Sequence, residues 1–400
     1  MYRIILSVAL LGAVLLPQRA AAWGPVAQKT INQLAIYGLP SGMQPFYYHF
    51  RQELVDRALD PDANIGKDPR EAARHHIDIE RITLPVFLSM PMDWEAAAGK
   101  YSADTLYRYG MGPWATLTAY ESLVAAFVEG SPENILKHSI EVANYIGNLS
   151  VPLHTNERYS LDPSSLNGLF AGKLVERNIG KFRLYDGEAK GIKREQVGQL
   201  VWSTVKESYA LSDPIWDLEV ETSKGFTPKD KYSFTYKLGK ATRSYSDKFA
   251  DAYFEKVGGI VASRLKWSTE ATALLWYSAW EAAGKPNLQR MTGEEFPKEE
   301  KAELARDQKL RKAFKLVPEG RLLALAKPEE VLKLKPGQEA PQAPTTPTEP
   351  AKSAFDDGTT DPADAGKGKK KKKDKPKRTA GDDSPADEKN PDQTPASGGD

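Results

Sequence analysis

Apolar residues recur at steps of three and four along most of this chain, the spacing that gathers them on one face of a helix. Leu117, Tyr120, Leu123, Val124 and Phe127 make one such face, and Leu136, Ile140, Ala143 and Ile146 make the next. Residues 271–283 (ATALLWYSAWEAA) read as another strongly apolar helix, closed by Gly284 and followed by Pro286. Strand-like alternation is scarce: 181–185 (KFRLY) and 231–236 are expected as short hairpins or extended loops. No internal repeat is visible. The pattern predicts a single all-α, multi-helix domain over 23–289, with roughly eight to ten helices in the whole body. A charged helical extension over 290–334 follows, and its mixed charges suit a solvated helix face.

Both ends fall outside that pattern. The start reads as a secretory signal peptide: Met1-Tyr2-Arg3, an apolar stretch over 4–16, then the small residues Ala20-Ala21-Ala22. Cleavage after Ala22 would make Trp23 the first residue of an exported protein, secreted or periplasmic. No later stretch is apolar enough to span a bilayer. After Leu334 there is no Leu, Ile or Val. Such a segment cannot bury enough apolar surface to offset its ordering entropy, so 335–400 is expected to be a disordered tail rich in Pro, Lys and Asp. Lys369 and Lys373 bound a run of five lysines in it, with Lys367, Lys375, Lys377 and Arg378 around them. The tail's 12 basic and 13 acidic residues nearly cancel, which fits a spacer. The lysine block could also tether the chain to an anionic surface or nucleic acid.

The body carries almost no net charge, which argues against a nonspecific nucleic-acid binder. The absence of cysteine from the chain excludes disulfides and thiolate metal sites. Chemistry must come from the remaining polar residues, and three segments concentrate them. Trp23-Gly24 is followed by Gln28 and Asn32; Asp60 precedes His75-His76-Ile77-Asp78; and 144–154 reads NYIGNLSVPLH, ending in His154. These segments resemble the zinc-dependent phospholipase C and S1/P1 nuclease family. Its members begin at a mature Trp and continue through an Asp, an HxID segment and an HFIGD…PLH segment. The resemblance runs from Trp23 to about Pro286 and takes in 154–159 (HTNERY) and the late 276–286 (WYSAWEAAGKP).

The resemblance implies an all-α fold with three zinc ions in a cleft that hydrolyses phosphodiesters of lipid or nucleic acid. Carried over position by position, it implies Trp23, Asp60, His75 and His154 as residual metal ligands, with Asp62 the rival for Asp60. It also implies that Gln28, Asn144, Asn148, Asn167 and Ala171 stand where the family has histidines and acids. Asp78 would support His75 from behind, or serve as an ordinary helix-face acid. A catalytic zinc normally takes three protein ligands and an open position, and on this carry-over no site reaches three. Carboxamides are poor zinc ligands, and the carboxylate missing at 148 would have joined two metals.

The substituted amides are expected to fill the former metal space with a neutral hydrogen-bond network. Gly147 and Pro152 are then folding requirements: close helix approach, and a stop that turns His154 inward. His76 is expected to point away from His75. His49 and His138 match no ligand position. The replaced letters favour a non-catalytic binding or interaction protein without a cofactor, using the old cleft for a phosphodiester-containing ligand or a protein partner. Two alternatives stand beside it. One is a residual hydrolase with one or two zinc ions, in which zinc-bound hydroxide attacks and Asn144 or Asn148 steadies a phosphate oxygen. The other is a binder of anionic surfaces through the lysine block.

Overall fold

Gly130 and Ser131 fold the middle of the chain into an αα-hairpin. In the computed structural model, α2 (Gly112–Glu129) ends at Gly130, whose φ of 77° is the left-handed conformation that glycine adopts without strain. Ser131 then caps α3 (Pro132–Leu149), its Oγ accepting from the Asn134 N–H at 3.3 Å, with Pro132 in the first turn. These are the two helices expected from the apolar spacing at 117–127 and 136–146. The structure describes residues 23–326 apart from 69, 159, 161, 163, 185, 186, 188, 190, 238, 239 and 294. The expected signal segment 1–22 and the tail 335–400 with its lysine block lie outside the described residues.

Four further helices complete the main body: α1 (Pro25–Ile36), α4 (Arg194–Tyr209), α5 (Ser212–Ser223) and α6 (Asp247–Ala282). The 36 residues of α6 span about 54 Å at the usual rise. It is the spine on which α1, α2, α3, α4 and α5 pack. Its apolar face is pinned by polar tips that find partners inside the core. Trp276 Nε1 donates to the Ser139 carbonyl at 2.9 Å while its ring stacks on Tyr47, 4.7 Å between centroids. Buried Arg264 donates to the Ser150 carbonyl at 2.9 Å and to Ser208 Oγ at 2.8 Å. The helix expected over 271–283 is thus only the last third of α6. Ser246 caps its true start, accepting from the Phe249 N–H at 3.1 Å.

The described residues hold more helical segments than expected because several connections contain single turns, such as Asp60–Asn64 and Ile79–Ile82. Turns that short show no periodicity. The one sheet among them is the antiparallel hairpin of β1 (Tyr232–Lys237) and β2 (Lys240–Tyr245), so the 231–236 segment is a strand. The 181–185 segment contributes none in its described part; Lys181 closes a 3-10 turn instead. No helix among the described residues is long and apolar enough to cross a membrane.

The charged extension differs from the solvated helix read in the sequence. Its helix α7 (Lys298–Lys312) belongs to the same compact unit as the body and buries Leu304, Arg311 and one carboxylate. Asp307 is 2% exposed and accepts from Tyr48 OH at 2.8 Å, Tyr37 OH at 3.3 Å and Arg321 at 2.8 and 3.0 Å. Gln33 of α1 adds bonds to the Arg321 carbonyl and the Leu323 N–H, both 2.8 Å. A mixed-charge helix can hide its anchor because a single aspartate at the right turn satisfies three donors. Truncating Asp307 to alanine strands those donors and should cost about 3–5 kcal/mol. Urea unfolding checks this, with proteolysis of 298–326 expected to precede that of the body.

Candidate functional site

Asn144 and Asn148 lie one turn apart on the inner face of α3, and the site is built around that pair. Asn144 Nδ2 donates to Asp62 Oδ2 at 2.6 Å, and Asn144 Oδ1 accepts from Asn148 Nδ2 at 2.9 Å. The same Asn148 nitrogen lies 2.6 Å from His75 Nδ1, and His75 Nε2 lies 3.1 Å from Glu71 Oε1. Glu71 also accepts from Tyr145 OH at 2.7 Å and pairs with Arg74 through its other oxygen.

The direction of every bond in this chain follows from its ends. Asn144 presents its nitrogen to Asp62 and its oxygen to Asn148, and the end that sets this direction is Glu71, the carboxylate held ionised, which only accepts. Asn148 must then present nitrogen, whose second hydrogen points at His75 Nδ1. With Asn148 donating, His75 Nδ1 is the acceptor and the Nε2 proton is directed at Glu71 Oε1. Burial would raise the Glu71 carboxyl, but the bonds from His75 and Tyr145 and the charge of Arg74 prevail and hold it below its ordinary value. Asp62 is shifted the other way, upward by burial, which outweighs the His75 and Asn144 contacts.

His154 is held separately. The helix α3 stops at Leu149, Pro152 opens the 3-10 turn Pro152–His154, and the imidazole is turned fully inside. Its Nδ1 donates to the His75 carbonyl at 2.8 Å. Its Nε2 accepts from Asn167 Nδ2 at 3.1 Å, an amide steadied by the Ser160 carbonyl at 3.4 Å. Burial pushes its pKa down to about 3. The backbones of the two histidine segments are joined as well, through Ile77 N–H to the His154 carbonyl at 3.0 Å and Ile79 N–H to the Thr155 carbonyl at 3.1 Å.

Several expected residues sit elsewhere. Asp60 faces outward, 53% exposed on its side chain and bonded to Arg57 at 2.9 Å, while Asp62 takes the inward place. Two residues along a helical turn point about 200° apart, so only one of them can reach His75. Gln28 does not join the amide chain: its Nε2 donates to Asn32 Oδ1 and the Ala143 carbonyl, both at 3.3 Å. It packs beside Gly147, where a Cβ would meet Gln28 Oε1 at 3.1 Å and Trp23 Cδ1 at 3.5 Å. Trp23 is buried, donating from its indole to Ser268 Oγ at 2.9 Å and stacked on Phe170. Ala171 contributes only its carbonyl, which accepts from the Gly24 N–H at 2.9 Å.

Asp78 caps the turn Ile79–Ile82 by accepting from the Arg81 N–H at 3.1 Å. His76 Nδ1 donates to the Ala72 carbonyl at 3.0 Å, away from the amide chain. His49 and His138 pair with Glu300 and Glu141 at 2.9 and 2.7 Å. The sequence reading missed Glu71, the second buried carboxylate. It stands four residues before His75, a spacing that places both on one side of a helical turn. The network is therefore not made of neutral groups alone.

Set against a zinc cage, the imidazole nitrogens are already engaged, while Gln28 Oε1, Asp62 Oδ1, Asn148 Oδ1 and Asn167 Oδ1 are buried without a hydrogen-bond partner. The two His75 nitrogens face different carboxylates on opposite edges of the ring, Asp62 at 3.7 Å and Glu71 at 3.1 Å. Both His154 nitrogens are engaged. Among the described residues no three His, Cys, Asp or Glu side chains converge as a metal-holding group. Comparisons with protein-family models, curated proteins and solved structures returned no match to this chain.

Proposed function

We propose that this chain is an exported, non-catalytic binding or interaction protein with the phospholipase C/S1-P1 nuclease fold, its metal space rebuilt as a hydrogen-bonded core. The observation that carries this reading is the directional chain Asp62–Asn144–Asn148–His75–Glu71. It occupies the inner imidazole nitrogen with an amide hydrogen where a cation would need a lone pair. A hydrolase of this class needs a water activated by a metal with an open coordination position. Here the positions 144 and 148 supply hydrogen-bond structure in place of charge. The 335–400 tail serves in this reading as a spacer.

A residual hydrolase remains the rival, favoured by the two carboxylates flanking His75. Zinc content of the purified chain and turnover of a generic phosphodiester separate the two. The expected outcome is no stoichiometric zinc, no chelator-sensitive cleavage, and a melting temperature that chelators leave unchanged. A ligand bound only by the native state would have raised that temperature. Stoichiometric zinc together with chelator-sensitive cleavage overturns the reading.

A further inference from the structure

Beside the amide chain, but sharing none of its side chains, lies a polar pocket of about 330 Å³ between the His76–Asp78 and Asn156–Glu157 segments and the end of the helix Ala103–Tyr109. Its size is at the small end for ligand sites, enough for a molecule of about amino-acid or dipeptide size. Its walls are held by backbone bonds: the two histidine segments pair as described, and the Asp78 N–H donates to the Tyr109 carbonyl at 2.7 Å. Gly110 permits that approach, since its φ of 94° suits glycine and a Cβ there would collide with the His76 carbonyl.

The wall groups are unevenly spent. Asn156 is fully buried, its Oδ1 fixed by the Arg158 N–H at 3.0 Å, yet its Nδ2 has no hydrogen-bond partner. A stranded buried donor costs about 1–3 kcal/mol, a cost that a bound acceptor would relieve once the Asn156 side chain rotates its amide into the pocket. Arg108 lines the pocket, is exposed, and forms no ion pair among the described residues. Opposite in sign, Asp78 and Glu157 share one cation: Arg81 lies 3.4 Å from the first and 3.6 Å from the second. Two carboxylates on one guanidinium leave one negative charge unmatched, and Arg108 leaves one positive charge unmatched.

We propose that this pocket binds a small zwitterion of the α-amino acid class, its carboxylate on Arg108 and Asn156 Nδ2 and its ammonium on Asp78 and Glu157. A simple anion would satisfy the first pair and face the second at a cost. A simple cation would do the reverse. A ligand carrying both charges pairs with both sides at once. The inference does not depend on whether the amide-filled site takes metal, so its failure and the failure of the preceding reading are read separately.

The test is isothermal titration of the full chain with free L-amino acids and a dipeptide, each beside its Nα-acetyl and carboxamide derivatives, with inorganic phosphate as the anion control. At least one free zwitterion should bind, with affinity falling about tenfold or more when either charge is removed. Arg108→Ala should abolish binding, and because this side chain is exposed and unpaired the variant should keep the parent melting temperature. Arg108→Lys should restore part of it. Absence of binding by every zwitterion, binding of phosphate alone, or affinity unchanged in Arg108→Ala overturns the proposal.

Discussion

Replacing Glu71 by alanine is expected to destabilise the fold by about 3–5 kcal/mol, the largest loss from any single change at the site. Three donors converge on this one buried carboxylate: His75 Nε2 at 3.1 Å, Tyr145 OH at 2.7 Å and Arg74. Truncation strands all three, two of them in the interior. Glu71→Gln keeps an acceptor for His75 and Tyr145 but turns its amide hydrogens toward Arg74, so a smaller loss of about 1–3 kcal/mol should follow. Urea unfolding at neutral pH measures both. A loss below about 1 kcal/mol for the alanine variant would show that the chain of bonds is not a structural element. Glu71 also has its own acid signature. With its folded pKa lowered, its contribution is complete above the unfolded carboxyl pKa and is lost only as pH falls through the folded value.

The second large effect belongs to two histidines and a higher pH window. Burial pushes His154 down to about 3 and His76 down to about 4. The folded state therefore holds both neutral where the unfolded chain, titrating at about 6.5, takes up protons. Their contribution is complete above pH 6.5 and is lost as pH falls toward the folded values. Each should cost up to about 1.4 kcal/mol per pH unit across its window. Stability should thus drop steeply between about pH 6.5 and 4, beginning well above the pH at which the Glu71 contribution starts to be lost. His154→Gln should flatten the slope by up to about half, since its amide can bridge the His75 carbonyl and Asn167 without taking a proton. Unfolding midpoints at a series of pH values measure this, and an unchanged slope in His154→Gln would assign the acid lability elsewhere.

The parts of this architecture that the sequence displays are those with a long period or a fixed terminus. The helices α2 and α3 were legible because each carries an apolar face at steps of three and four; the structure adds the Gly130-Ser131-Pro132 turn that joins them as a hairpin. The polar pair at 144 and 148 was singled out by the resemblance of NYIGNLSVPLH to a metal-binding segment, and α3 sets the two one turn apart on its buried face. What the sequence hid lies in single turns. Asp60 and Asp62 differ by two residues, and only the turn Asp60–Asn64 decides which one meets Asn144. Glu71 was hidden because the 3-10 turn Ala72–His75 that brings it to His75 has no apolar repeat to announce it. The docked helix α7 was hidden because its inward face mixes Leu304 with buried Asp307 and Arg311 and so shows no continuous apolar stripe. Gln28 was misplaced for a different reason: a long amide can satisfy itself on a neighbouring backbone as readily as in a polar cluster.

The account stands on the protonation pattern of His75, which imidazole ¹⁵N spectra of the purified chain report directly. The hydrogen-bond chain predicts a proton on Nε2 and a bare, amide-bonded Nδ1, with His154 carrying its proton on Nδ1 instead. Both patterns should persist when one equivalent of zinc is added. A zinc-induced shift of His75 Nδ1 or His154 Nε2 to a metal-bound position at stoichiometric zinc would contradict it.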